Sequence, residues 1–338
     1  MKKIIIKKKN FLTKILIKIL RNVGYEIIDQ SSLVITNDTK IKNSIKNKTR
    51  SLITLPLGQV KINDPIKKIL IIHRMFTNEN TLLSQNKKRV FEEKKYEYSF
   101  RSLYSILKSC AFAAKKREEL EFEIVVVDDN SSSSIKKNVI EIFNKFNDLK
   151  TSLVNLEISE FEDKMNFSNN KRMVAHNAHI FKSKQIALEK SSDVIYFVED
   201  DYIHTNDCID EMINAYDKFK NITSNDIVLV PSDYPYLYYN TENFGLTIGH
   251  KYHWRIIDQS LCTYMTTKNF IKKHWNYYED MMTNVHDPYE KPLHHIYSKE
   301  LCLSPLPTLA IHMTNINSIY GISPTIDIKK IWEQANYD

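Results

Sequence analysis

The stretch Val194-Ile195-Tyr196-Phe197-Val198-Glu199-Asp200-Asp201-Tyr202, read with the earlier Glu123-Ile124-Val125-Val126-Val127-Asp128-Asp129-Asn130-Ser131, decides the fold. Each is a short apolar, β-branched run stopped abruptly by acids, the pattern of a buried strand that ends at a sheet edge. Working outward, Ile69–Ile72 reads as an opening strand, a helix is predicted from about Tyr96 to Leu120, and Phe122–Val127 is the second strand. A helix over Ile135–Phe146, a strand over Ser152–Ile158, a helix over Lys171–Lys190, the Val194–Val198 strand, a helix over Asp207–Phe219 and a strand over Ile227–Val230 follow. Strands alternating with helices at this spacing predict an α/β chain with a mostly parallel sheet flanked by helices. Ligands in such sheets bind beyond the carboxyl ends of the strands, so both acidic clusters are expected to share one cleft. The organisation expected is an extension over 1–64, a sheet-forming half over 65–232 and a looser acceptor-side half with a tail over 233–338.

Composition removes several classes. The 338 residues include only five glycines, and no arrangement of them makes GxGxxG or GxxxxGK[ST]. A phosphate cradle built of glycine backbone is therefore excluded, and a nucleotide must be held by side chains and a metal. Four scattered cysteines without a CxxC pair predict reduced thiols in a cytoplasmic protein with no structural zinc. No stretch of about 18 apolar residues predicts a transmembrane helix, and no secretory signal is expected.

Lys and Arg number 48 against 41 Asp and Glu, a net charge of +7. The first 21 residues carry eight of those bases and no acid. Within them Phe11, Leu12, Ile15, Leu16, Ile19 and Leu20 recur at helical spacing, with Lys14, Lys18 and Arg21 on the other side. Two readings stay open: a basic amphipathic helix lying on an anionic membrane surface through residues 1–21, or a helix docked on its own domain. Nucleic acid is not an expected partner, because no aromatics interleave the basic run and no recognition-helix pattern follows.

The carboxylates of Glu199, Asp200 and Asp201 at a strand end suit a loosely held Mg²⁺ or Mn²⁺ with sites left for two phosphate oxygens. Such a metal neutralises a diphosphate leaving group. At Asp128-Asp129 a carboxylate can accept the imide N–H of a uracil, which supplies base specificity. The plainer alternative at both places is a turn capping the next helix. His176 and His179, three apart, with His204, invite a metallohydrolase reading, but HExxH is absent. Five aromatics crowd into Pro231–Phe244; Tyr234 and Tyr236 there, with Trp254 and Arg255 after them, are the acceptor-binding candidates. Aromatic faces stack on sugars, and the alternative is a hydrophobic cluster holding the halves together.

Together the Ile69–Ile72 strand, the Val-Val-Asp-Asp-Asn-Ser run, the helix before Asp193 and the Val-Glu-Asp-Asp-Tyr run resemble the family 2 glycosyltransferases of the GT-A fold. The resemblance spans roughly residues 66–232 and weakens to about 315. It implies a GT-A (Rossmann-like) sheet in which Asp129 contacts the base and His73 and Met75 occupy an opening loop closing over it. It further implies that Asp201 with Glu199 binds the metal, that Asp200 lies near the ribose and phosphates, and that His312 touches the metal or diphosphate. Asn177 and Lys184 are the nearest matches to the polar signature of the preceding helix. The base that starts a helix in the acceptor half corresponds best to Asp287 in Asp287-Pro288-Tyr289-Glu290-Lys291-Pro292-Leu293, with Asp280 and Asp258 as rivals. The function implied is transfer of a sugar from a nucleotide-diphosphate sugar, with UDP the expected donor nucleotide, to a saccharide hydroxyl. Surface polysaccharide or a lipid-linked glycan is the expected acceptor, and inversion the default. A nucleotidyltransferase and a non-catalytic carbohydrate-binding scaffold are the rivals from other classes.

Overall fold

A computed structural model describes residues 11–23, 62–77, 89–167, 171–234, 245–313 and 326–337. Most of the 1–64 extension, and Tyr236, lie outside these residues. Helix α1 spans Phe11–Asn22, and strand β1 spans Lys68–Met75. Then come α2 (Lys95–Lys116), β2 (Glu121–Asp128), α3 (Ser133–Asn144), β3 (Lys150–Asn155), α4 (Lys171–Glu189) and β4 (Val194–Glu199). Short β5 (Tyr202–His204), α5 (Cys208–Thr223) and β6 (Val228–Leu229) follow. The later half adds β7 (Leu246–Ile248), β8 (His253–Ile256), β9 (Tyr264–Thr266), α6 (Lys268–Lys273), α7 (Trp275–Thr283) and α8 (Lys291–Tyr297). It closes with β10 (Cys302–Leu306), β11 (Ala310–His312) and α9 (Ile328–Gln334).

Among the described residues one sheet runs β3-β2-β1-β4-β9-β6-β10-β8-β7, and β5 pairs with β11 in a separate ribbon. The first four strands are parallel. β9 then runs antiparallel between β4 and β6. Of the half after residue 232, β7 to β10 extend the sheet begun at β1, and one hydrophobic core joins both halves.

The strands form where they do because their side chains are taken up on both faces. From Ile69 onward every residue of β1 is buried. His73 meets Ser102 of α2 at 3.1 Å, whereas the next residue, Arg74, lines a small cavity with Ile180, Ser183 and Lys184 of α4. Adjacent strand residues point to opposite faces, so α2 and α4 cover opposite sides of the sheet. Ser132 caps α3 by accepting from the Ile135 N–H, the role the plainer reading gave to the acids before it. A second, smaller core of Val90, Tyr98, Ile203, Ile311, Met313 and Trp332 seats the β5–β11 ribbon against α2 and α9.

None of the four cysteines forms a disulfide. No helix among the described residues is long and apolar enough to cross a membrane.

Two expectations change. The loop expected at His73 and Met75 is strand: β1 continues to Met75, and both side chains are fully buried. Apolar Ile69–Ile72 marks only its centre, and the polar His73 and Arg74 are accommodated because each finds a polar partner, buried Ser102 and half-buried Glu199. Trp254, expected to face an acceptor, is likewise fully buried in β8, its ring against Phe219. It also fills the space over Gly249, where an added Cβ would stand 2.3 Å from the indole Nε1 and 2.5 Å from Cδ1. Gly249→Ala therefore forces the indole to move, and a loss of about 1–3 kcal/mol is expected from overpacking, read as a lower urea midpoint.

Candidate active site at the carboxyl edge of the parallel strands

β1, β2 and β4 end together: Met75 is in register with Asp128, and Arg74 with Glu199. The two acidic clusters flank the end of β1, two strand spacings or about 10 Å apart. Residues 76 and 77 link them. The Phe76 N–H donates to Asp200 Oδ2 at 2.8 Å, and the Thr77 and Ser131 hydroxyls meet at 2.8 Å. Asp129 itself is tied to β1 by its N–H on the Met75 carbonyl at 3.0 Å.

The Glu199-Asp200-Asp201 turn caps no helix; α5 begins only at Cys208. Each carboxylate is instead matched by a cation. Arg74 Nη2 lies 2.9 Å from Glu199 Oε1, and the Thr263 hydroxyl donates to Oε2 at 3.4 Å. Lys95, at the first turn of α2, pairs with Asp200 Oδ1, while the Ser99 hydroxyl donates to Oδ2 at 2.6 Å. Asp201 is reached by Arg89 at 3.4 Å and by His312 Nε2 at 3.3 Å. Burial works to raise the Asp201 pKa, but His312, Lys95 and Arg89 hold it far below the ordinary carboxylate range. Burial likewise opposes charge on His312, and the Asp201 carboxylate overrides it and raises the imidazole.

His312 is fixed from behind. Its ring stacks on Tyr202, with centroids 4.6 Å apart and planes at 9°, and the Tyr202 and Tyr234 hydroxyls meet at 2.8 Å. Tyr234 is thus buried beneath the site instead of lining its mouth. Arg255 is buried as well, with Nη2 2.6 Å from Asp233.

The Asp201–His312 pair suits one divalent cation. Two ligands about 2.1 Å from a shared ion stand about 3 Å apart when cis, close to the spacing already present. An oxygen and an imidazole nitrogen are acceptable to Mn²⁺ or Mg²⁺, with the remaining positions left to water and phosphate. Among the described residues no group of three His, Cys, Asp or Glu is gathered to hold a metal without such help. Glu199 is engaged with Arg74, so the structure pairs Asp201 with His312 more directly than with Glu199.

Asp129 sits almost wholly buried, with Asn130 Nδ2 at 3.1 Å. Burial, then the neighbouring Asp128, raises its pKa against that hydrogen bond. Burial holds four other histidines, His73, His176, His179 and His204, in the neutral form. His179 bonds the Val127 carbonyl at 2.8 Å, His204 the Tyr196 hydroxyl at 2.8 Å, and His176 abuts the Tyr289 ring. Burial pushes all three down to about 3, and His73 to about 4. Asn177 donates to the Met282 carbonyl, and Lys184 is enclosed by Phe197, Tyr264 and Tyr278, so neither reaches the edge.

Of the base candidates, Asp258 and Asp287 are exposed, and Asp280 bonds Asn284 and pairs with His286. Glu290, three residues after Asp287, is the carboxyl that feels the charges of the cluster. Burial first, and the Glu199 carboxylate second, push it up to about 7, while His312 and Arg74 pull the other way. Sequence reading missed it because the aspartate at the head of the run drew attention. The signal available was its position directly before α8, whose Pro292 lies in the first turn.

No family model matches the chain, and no curated protein matches it. Among solved structures the chain is similar to the apo structure of the bifunctional glycosyltransferase WbbM, at 10% identity and a TM-score of 0.38. That match covers 82% of this chain and spans 45% of WbbM. It is also similar to the mannosyltransferase Ktr4p from S. cerevisiae, at 12% identity and a TM-score of 0.23, over 87% of this chain and 69% of that one.

Removing one member of the buried Lys95–Asp200 pair leaves a charge uncompensated. Lys95→Ala is expected to cost about 3–5 kcal/mol in urea unfolding, and adding Asp200→Asn to recover part of it. Additive losses would show that the pair does not couple.

Proposed function

We propose that the chain is a metal-dependent GT-A glycosyltransferase moving a sugar from a nucleoside-diphosphate sugar to a saccharide hydroxyl with inversion. The observation that supports this reading is the Asp201–His312 pair and the buried Asp129 at one sheet edge, with the Glu199 carboxylate of that edge helping to raise the Glu290 carboxyl to about 7. Asp129, raised by burial, is improved by any N–H donor that reaches it, and the imide of a uracil supplies one; UDP is therefore the donor nucleotide proposed. Asp201 and His312 would hold Mn²⁺ or Mg²⁺, which when bound neutralises charge on the departing diphosphate. Glu290 takes the proton from the acceptor hydroxyl as that oxygen bonds the anomeric carbon. The bond from that carbon to the diphosphate oxygen breaks with its electron pair, and nucleoside diphosphate leaves. A pKa near the working pH suits Glu290 to this task.

Thermal unfolding with UDP and Mn²⁺ tests the site. UDP should raise the midpoint only with Mn²⁺, and Asp201→Ala should abolish the shift. A shift indifferent to Mn²⁺ or to Asp201 would overturn the assignment. Screening hydrolysis of UDP-, GDP- and CMP-sugars identifies the donor class.

Glu290→Gln is expected to lower kcat by about 10²–10⁴ with little change in KM, whereas Asp287→Asn stays near the parent rate. Activity should rise as pH increases through a limb at or below about 7, since a nearby cation moves the limb lower. Stability runs the opposite way. With the folded pKa raised, the contribution of Glu290 is fully present below the unfolded value of about 4.5 and lost as pH rises through about 7. Metal-free Glu290→Gln should therefore be the more stable protein at pH 8 and equal to the parent at pH 4, by urea unfolding.

A further inference from the structure

The apolar arc of α1 is exposed. Phe11 is 77% exposed, Leu12 74%, Val23 63% and Ile19 56%, with Ile15 and Leu16 also exposed. Helical geometry, about 100° per residue, gathers positions 11, 12, 15, 16, 19 and 23 into an arc of roughly 140°. Ile17, the buried apolar residue of this helix, falls on the opposite side. The helix thus buries its Ile17 side and exposes its larger apolar surface, the reverse of a surface helix packed on a core. Positions 14, 18 and 21 follow one flank of the arc, and five further lysines precede the helix within the first nine residues, with no acid.

We propose that this face docks on an anionic phospholipid bilayer, with the helix in the plane of the interface. An exposed arc of Phe, Leu and Ile gives the apolar part of binding, and the bases at positions 14, 18 and 21 with the five lysines before the helix match a negatively charged headgroup layer. The charge also argues against a second copy of this chain as the occupant, since two such segments face to face bring like charges together. The inference is independent of the transferase reading; it requires only the helix and its surroundings.

Sedimentation of the full chain with phosphatidylcholine vesicles, with and without phosphatidylglycerol, tests it. Binding should be strong only to the anionic vesicles and weaken as salt is raised. Ile15→Asp with Ile19→Asp should lower partitioning by about tenfold or more. Both sites are exposed, so the unfolding midpoint should be unchanged, which keeps lost binding distinct from lost folding. No partitioning to anionic vesicles, or partitioning indifferent to the paired substitution, would overturn the proposal. So would a dimer in light scattering that the same pair dissolves, because the face would then belong to a second copy.

Discussion

Three consecutive carboxylates, largely withdrawn from water, are the constraint on which the rest of this structure depends. Burying an ionised carboxylate without a partner costs several kcal/mol, so Glu199, Asp200 and Asp201 require counter-charges. They obtain them from different elements: Arg74 from β1, Lys95 from the start of α2, Arg89 from the segment before it, and His312 from β11. Charge balance at one turn therefore sets where an adjacent strand, a helix N-terminus and a distant ribbon must meet. The small core of Tyr98, Ile203, Ile311, Met313 and Trp332 lies under the same place and keeps the ribbon there.

How much of this was legible follows from what periodicity reports. The parallel strands and their helices were readable because each is buried on both faces and reads as a continuous apolar run. The end of β1 was not: His73 and Arg74 look like loop residues until Ser102 and Glu199 are known to sit opposite them. The strands after residue 245 are three to five residues long, too short for a period to register. That is why the later half read as loose although it extends the sheet.

At the site, strand-end acids were visible from the sequence, and so was His312, placed by resemblance. The cations opposite the acids were not, since Arg74, Arg89 and Lys95 are separated from them by over a hundred residues and no local pattern announces a pairing. Trp254 and Arg255 misled for the opposite reason. Side chains that suit sugar and anion recognition are equally at home in a core when a neighbour satisfies them, and here Phe219 and Asp233 do so.

The proposed chemistry asks two acids at one edge for opposite behaviour. One must stay ionised to hold a cation; the other must be able both to take and to release a proton near neutrality. Asp201 and Glu290 satisfy this through their surroundings and not through residue type. Asp201 is crowded by His312, Lys95 and Arg89 and is driven far below its usual range, whereas Glu290 has burial and the Glu199 carboxylate acting on it and rises to about 7. Carboxyl groups whose environments drive them apart in this way mark a division into charged ligand and proton carrier. The same acid cluster produces both effects, because Glu199, held in place by Arg74, is the charge that raises Glu290. Neutralising Glu199 would therefore lower Glu290 without touching it, which ties the state of the proposed base to the state of the cluster proposed to receive the donor.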